Sequence, residues 1–254
     1  MQTESTDETY NLDLLSQSQD AWDRSEGLRF VYGEIYRSIL SHCVKGTTLE
    51  IGSGIGVANQ FFDNLVTSDV IESPYVNRAM SAYEVGLDAE CCWGNIFAID
   101  VLHHLRFPMR FFESASSALN QGGRIILVEP AATFLGRVFY SLCHHEPIQS
   151  HLIVPPFEFE SNGANKEFAN MGMGVGLFVK NRSQVNTLLS TYGLRCNKVS
   201  FRDVCAYPLT GGYSKPQFMP TTALKFLLKC EKYLPQCVLS VIGLRMLIVI
   251  EKIK

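Results

Sequence analysis

The chain has 254 residues, enough to bury a substantial core without disulfide or metal staples, and its 46% hydrophobic and 19% charged residues exclude a disordered or fibrous polymer. A net charge of -3 and a pI of about 6.1 give no basic excess to draw the whole chain onto nucleic acid, so no DNA partner is expected. Eight cysteines occur without a CxxC pair, which argues against a zinc site and reads as small buried hydrophobes.

In chain order, the acidic, polar start MQTESTDETYNLD lacks the apolar run of a secretion signal, so the cytoplasm and reduced thiols are expected. Residues 1–45 read as a polar helical cap with Leu14, Leu15, Trp22, Phe30, Ile35 and Leu40 as core contacts. Residues 46–130 then alternate strand and helix. Residues 47–51 form a strand, 57–62 a helix, 65–69 a second strand and 77–82 a weak third. Residues 95–100 form a buried strand, followed by a helix over 108–119 with Phe111, Phe112, Ala115 and Leu119 on one face. Gly122 and Gly123 end that helix, and 124–130 is the fifth strand. This alternation predicts an α/β fold with a mostly parallel sheet covered on both faces.

The rhythm breaks after Pro130. Residues 131–180 read as an insertion over the acceptor site, and 181–254 as the completion of the sheet. In that last part a helix is expected near 183–191, a strand over 196–201 and a helix over 221–233. Residues 238–250 read as one or two buried strands; they carry Arg245 and are too short to span a bilayer, which leaves at most peripheral membrane contact.

The strongest motif is Leu49-Glu50-Ile51-Gly52-Ser53-Gly54-Ile55-Gly56, between a strand and a helix, at the edge where open α/β sheets bind ligands. Glycines let the backbone turn sharply and approach a ligand closely. A dinucleotide fingerprint wants a third glycine at position 57, where this chain has Val57, so a nicotinamide oxidoreductase is opposed. Glu50 can hold a methionine-like ammonium, and Asp69, ending the next strand, can accept both hydroxyls of a ribose. An amine and an unphosphorylated ribose together describe S-adenosylmethionine. Glu72 is the alternative ribose acid.

The order LEIGSGIG, TSD, DVLHHL and GGRIILVEP resembles class I S-adenosylmethionine-dependent methyltransferases of the type-11 kind, over about residues 45–130. The resemblance implies a Rossmann-like, seven-stranded sheet whose last strand is antiparallel, with helices on both faces. It implies that Gly52, Ser53, Gly54 and Gly56 cradle the cofactor, and that Asp69 and Val70 sit at the ribose. Asp100 and Val101 then lie beside the cofactor. Ser81 and Ala82 stand where the family has an acid next to the adenine, so the adenine contact loses its charge.

The whole chain also resembles an uncharacterised bacterial subgroup associated with glycan modification, through Thr67-Ser68-Asp69, His144-His145-Glu146-Pro147, Ser161-Asn162-Gly163-Ala164-Asn165 and Tyr207-Pro208-Leu209-Thr210-Gly211-Gly212. A small-molecule or glycan-like acceptor, methylated at a hydroxyl, follows from this reading. His145 and His104 are the candidate bases, with His144, Glu146 and Asn165 as further lining. The two histidine pairs have no carboxylate or cysteine at ligand spacing, so no metal is expected. The competing reading is a degenerate methyltransferase fold that binds cofactor or partner without catalysis.

Overall fold

The computed structural model describes residues 12–87, 92–160 and 168–254. Seven strands form one sheet: β1 (Thr48–Ile51), β2 (Leu65–Asp69), β3 (Arg78–Ala79), β4 (Trp93–Ile99), β5 (Leu119–Pro130), β6 (Leu194–Arg202) and β7 (Arg245–Lys252). Their order is β3-β2-β1-β4-β5-β7-β6. Neighbours from β3 to β5 are parallel, and β7 inserts antiparallel between β5 and β6. The seven strands and the antiparallel last one are as the sequence implied. Because β7 opposes both neighbours, β6 points the same way as β1, β2, β4 and β5, so the carboxyl ends of these five strands and the start of β7 share one edge.

Alternation along the strands divides the core in two. Leu49, Ile51, Ile96, Ala98, Ile125, Leu127, Met246, Ile248 and Ile250 face one layer. There they meet α3 (Pro108–Ala118), α5 (Met173–Val175) and α6 (Arg182–Thr191). Phe97, Ile126, Val128, Leu247 and Val249 face the other. That side is covered by α1 (Leu12–Arg24), α2 (Glu26–Leu40), α7 (Ala206–Leu209) and α8 (Thr221–Lys232). The N-terminal helices are thus a layer of the main core: Leu15, Trp22 and Ile35 are buried, while Leu40 is exposed. Ser25 caps α2, its side chain accepting from the Leu28 N–H at 3.1 Å.

Several elements differ from the sequence expectation. The helix expected at 57–62 is a single 3-10 turn, Val57–Gln60. Gly56 enters it in the left-handed region with no side-chain cap, and Phe62 turns inward to stack on Phe97 at 5.0 Å. Gly122 and Gly123 do not end α3, which stops at Ala118; they lie within β5, where the register with β4 shifts before Arg124. The apolar run 238–250 is helix α9 (Gln236–Ile242) followed by β7. Pro235 precedes that helix and Gly243 follows it, and only Leu239 of α9 is buried. The third strand shrinks to two residues. The 131–180 segment contains α4 (Phe134–Cys143), capped by Thr133, and then α5 with a π-helical turn, Gly176–Lys180.

Among the described residues, no helix is long and apolar enough to cross a membrane.

Candidate active site

The site lies along the carboxyl edge, and its first half is the loop after β1. Gly52, Gly54 and Gly56 all have left-handed φ, at +67°, +54° and +64°. A side chain at Gly52 would collide with Val101 Cγ2, and one at Gly56 with the Tyr75 carbonyl, so both positions need glycine for space as well as for φ. The Ser53 N–H donates to the Ser68 carbonyl at 2.9 Å, and its hydroxyl accepts from the Ser68 N–H at 3.1 Å. These bonds stitch the loop to β2.

Glu50 is 3% exposed, and its Oε2 is buried with no hydrogen-bond partner. Burial pushes its carboxyl up to about 8, with a Ser53 hydrogen bond opposing and the nearby Asp69 adding. An orphaned buried carboxylate costs free energy unless a donor or cation meets it. Asp69 ends β2 and is also buried. Its Oδ2 accepts from the Gly54 N–H at 2.8 Å, so the expected ribose acid also braces the glycine loop. Its Oδ1 accepts from the Ile71 N–H at 3.4 Å. Val70, beside it, is 66% exposed. Glu72 is exposed.

Ser81 and Ala82 follow β3. The Ser81 N–H faces Glu84 Oε2 at 3.4 Å, its hydroxyl accepts from Tyr83, and Ala82 is buried in the core. Glu84 therefore supplies a carboxylate next to the uncharged Ser81, three residues later than the sequence pattern looked for it. The orphaned Glu50 carboxylate and the glycine-only backbone fit a ligand with an ammonium group and a nucleoside, as S-adenosylmethionine has.

The second half is a cavity of about 430 Å³ at the same edge. Its walls come from Asp100 after β4, Pro130 at the end of β5, α4 with Glu146, the 207–218 loop, and Arg245 at the start of β7. Arg245 is 2% exposed, binds Asp100 Oδ2 at 2.5 Å and lies 3.9 Å from the Tyr207 ring centroid. Burial opposes its charge, but Asp100 and the ring hydroxyls hold its pKa well above the ordinary value. Asp100 Oδ1 and Arg245 Nη1 are buried without hydrogen-bond partners. Asp100 has φ +56°, a strained conformation for a non-glycine residue and one that recurs at functional sites.

Beside this pair stands a histidine–carboxylate cluster. The Glu129 Oε1 accepts from the N–H groups of Val101 and Leu102 at 2.9 and 2.8 Å. Its Oε2 bonds His103 Nδ1 at 2.8 Å. His103 Nε2 lies 3.4 Å from Glu146 Oε2, and His104 Nε2 lies 3.8 Å from Glu146 Oε1. Burial alone would lower the His103 pKa, but hydrogen bonds to Glu129 and Glu146 raise it to about 10. Burial and the charge of His103 push His104 down to about 4. Burial would raise Glu146, yet its bond to His103 holds it at about 2.

Of the residues expected at the acceptor, His104, His144 and Glu146 line the cavity, whereas His145 is exposed and outside its lining. The turn after α4 points His145 away while Glu146 faces inward. Asn165, with the rest of its motif, lies outside the described residues. Glu129, Arg245 and Tyr207 carry the site without having been singled out as site residues. The signal for the first two was a charge within an apolar strand, which must be paired when buried.

No protein-family profile matches the chain. No curated protein matches it significantly either. Among solved structures, a SAM-dependent methyltransferase from Archaeoglobus fulgidus superposes with a TM-score of 0.52 at 12% identity, over 88% of this chain and 94% of that one. The fold is that of the class I methyltransferases. A second similar structure is 1,6-didemethyltoxoflavin-N1-methyltransferase from Burkholderia thailandensis, solved with S-adenosylhomocysteine. It matches at 14% identity and a TM-score of 0.47, over 95% of this chain and 86% of that one. The β1 loop and the ends of β2 and β4 converge at the carboxyl edge of the sheet, where Glu50, Asp69 and Val101 stand.

Proposed function

We propose that the chain is an S-adenosylmethionine-dependent methyltransferase acting on a small-molecule or glycan-like acceptor at a hydroxyl. One observation carries the reading: a buried carboxyl oxygen without a hydrogen-bond partner, Glu50 Oε2, beside a loop of three left-handed glycines at the carboxyl edge of the sheet. Glu50 would hold the cofactor ammonium, and Asp69 would receive the ribose hydroxyls. Val70 would lie against the adenine, with Ser81, Ala82 and Glu84 near its amine.

The acceptor enters the 430 Å³ cavity, whose Asp100–Arg245 pair and tyrosines offer polar anchors for a hydroxyl-rich ligand. When bound, the cofactor supplies a methyl group on a sulfonium. Transfer of that methyl to an acceptor oxygen would leave S-adenosylhomocysteine and a hydroxyl proton to be removed. The chain's own task is to align the two and receive the hydroxyl proton. His104 is the candidate base: its low pKa leaves the ring neutral and able to accept near neutral pH.

Calorimetric titration with S-adenosylhomocysteine and with NAD tests the cofactor. Binding of the first and not the second is expected; NAD affinity with no response to the sulfur ligand would overturn the reading. A screen of hydroxylated acceptors for S-adenosylhomocysteine release then identifies the substrate.

A further inference from the structure

Glu129 is occupied by backbone. It accepts from three successive N–H groups, of Val101, Leu102 and His103, and from His103 Nδ1. That arrangement fixes the His103 ring and turns its Nε2 toward the cavity. His104 follows it in the same turn, Leu102–His104. Each histidine thus presents one nitrogen to Glu146, from another part of the chain. The three ligand atoms lie within 4.8 Å of one another.

We propose that His103 Nε2, His104 Nε2 and Glu146 bind one divalent transition-metal ion of the zinc class in the wall of the acceptor cavity. Two imidazoles and one carboxylate form a donor set that zinc accepts in open, three-ligand sites. Metal–ligand bonds of about 2.0–2.2 Å put tetrahedral ligand atoms roughly 3.3–3.5 Å apart. His103 Nε2 lies 3.4 Å from Glu146 Oε2 and His104 Nε2 lies 3.8 Å from Oε1, so a small turn of the carboxylate, or chelation through both oxygens, brings the donor set to this spacing. The carboxylate behind His103 is the outer partner that metal-bound histidines ordinarily have, fixing ring orientation. The ion takes the place of the proton that His103 Nε2 shares with Glu146. Its open position faces the cavity, where it would take an acceptor hydroxyl and lower the pKa of that group, in place of proton removal by His104, whose Nε2 the ion occupies.

That last role rests on the methyltransferase reading; ion binding itself does not. Chelator-stripped protein is titrated with Co2+ and with Zn2+, and the same stock is titrated with S-adenosylhomocysteine. One equivalent of metal, bound at micromolar concentration or below without a thiolate-to-cobalt absorption band, is the expected result. His104→Ala and Glu146→Gln should each weaken binding at least ~10-fold, while His151→Ala leaves it unchanged. Glu146→Gln is nearly isosteric, so it decides the matter if His104→Ala fails to fold. Absence of one-to-one binding, a thiolate band, or affinity indifferent to Glu146→Gln would each overturn the site. Cofactor binding without metal binding removes the metal proposal alone, and the converse removes the cofactor reading alone.

Discussion

At the scale of single residues, Glu50 has the clearest pH signature. Its folded carboxyl titrates at about 8, whereas in an unfolded chain a glutamate titrates near ~4.3. Between those values the folded state holds a proton that the unfolded state has lost, so stability falls as pH rises through that window. At about 1.4 kcal/mol per pH unit, the full loss amounts to a few kcal/mol. Glu50→Gln should lack this decline, seen as a urea midpoint that exceeds wild type increasingly toward pH ~8, while cofactor affinity drops. Binding an ammonium-bearing cofactor near neutral pH should ionise Glu50 and release roughly one proton, readable by calorimetry in buffers of different ionisation heat. Binding with no proton release would place the ammonium elsewhere. Asp69→Ala should weaken the cofactor by ~1.5–3 kcal/mol, the scale of a hydrogen bond to a charge. Exposed Glu72→Ala should do much less, and the reverse order would move the ribose to Glu72.

At the scale of elements, the glycine loop is closed by packing as well as by φ. Gly52→Ala would put a methyl group against Val101 Cγ2 at a φ of +67°. The backbone part alone costs about 1–2 kcal/mol, and the collision adds to it. Adding Val101→Ala should recover the collision and leave the backbone part, so the double variant should fall between wild type and Gly52→Ala in thermal stability. A double variant no better than the single one would mean that Val101 does not seal the loop. The helices were legible in the sequence where apolar periodicity ran for three turns, as in α3 and α8. The short elements were not: the turn at Val57–Gln60 has too few residues for a period, and its apolar side chains are explained by the aromatic stack around Phe62 and Phe97. The run 238–250 misled for the opposite reason, because an apolar stretch has no period to separate helix from strand.

At the scale of the molecule, the Asp100–Arg245 pair ties the end of β4 to the start of β7, across β5. Arg245 is buried but the Asp100 side chain is 29% exposed at the cavity, so stranding Asp100 costs less than in a fully buried pair, about 1–3 kcal/mol. Arg245→Met should therefore lower unfolding stability by that order. Arg245→Met with Asp100→Asn should recover much of the loss, because no buried charge is then left alone. Equal losses in the two variants would mean that packing against Tyr207, rather than charge, holds Arg245. The sequence by itself determined the alternation of strands and helices, the glycine loop and the two acids on adjacent strands. Those features are written in spacing along one βα unit, where local sterics and side-chain period act within a few residues. It did not determine which of His103, His104, His144 and His145 face the cavity, that Glu129 stands behind His103, or that Arg245 meets Asp100. These choices depend on which strands become neighbours, and the insertion of β7 between β5 and β6 brings together residues that no local pattern connects.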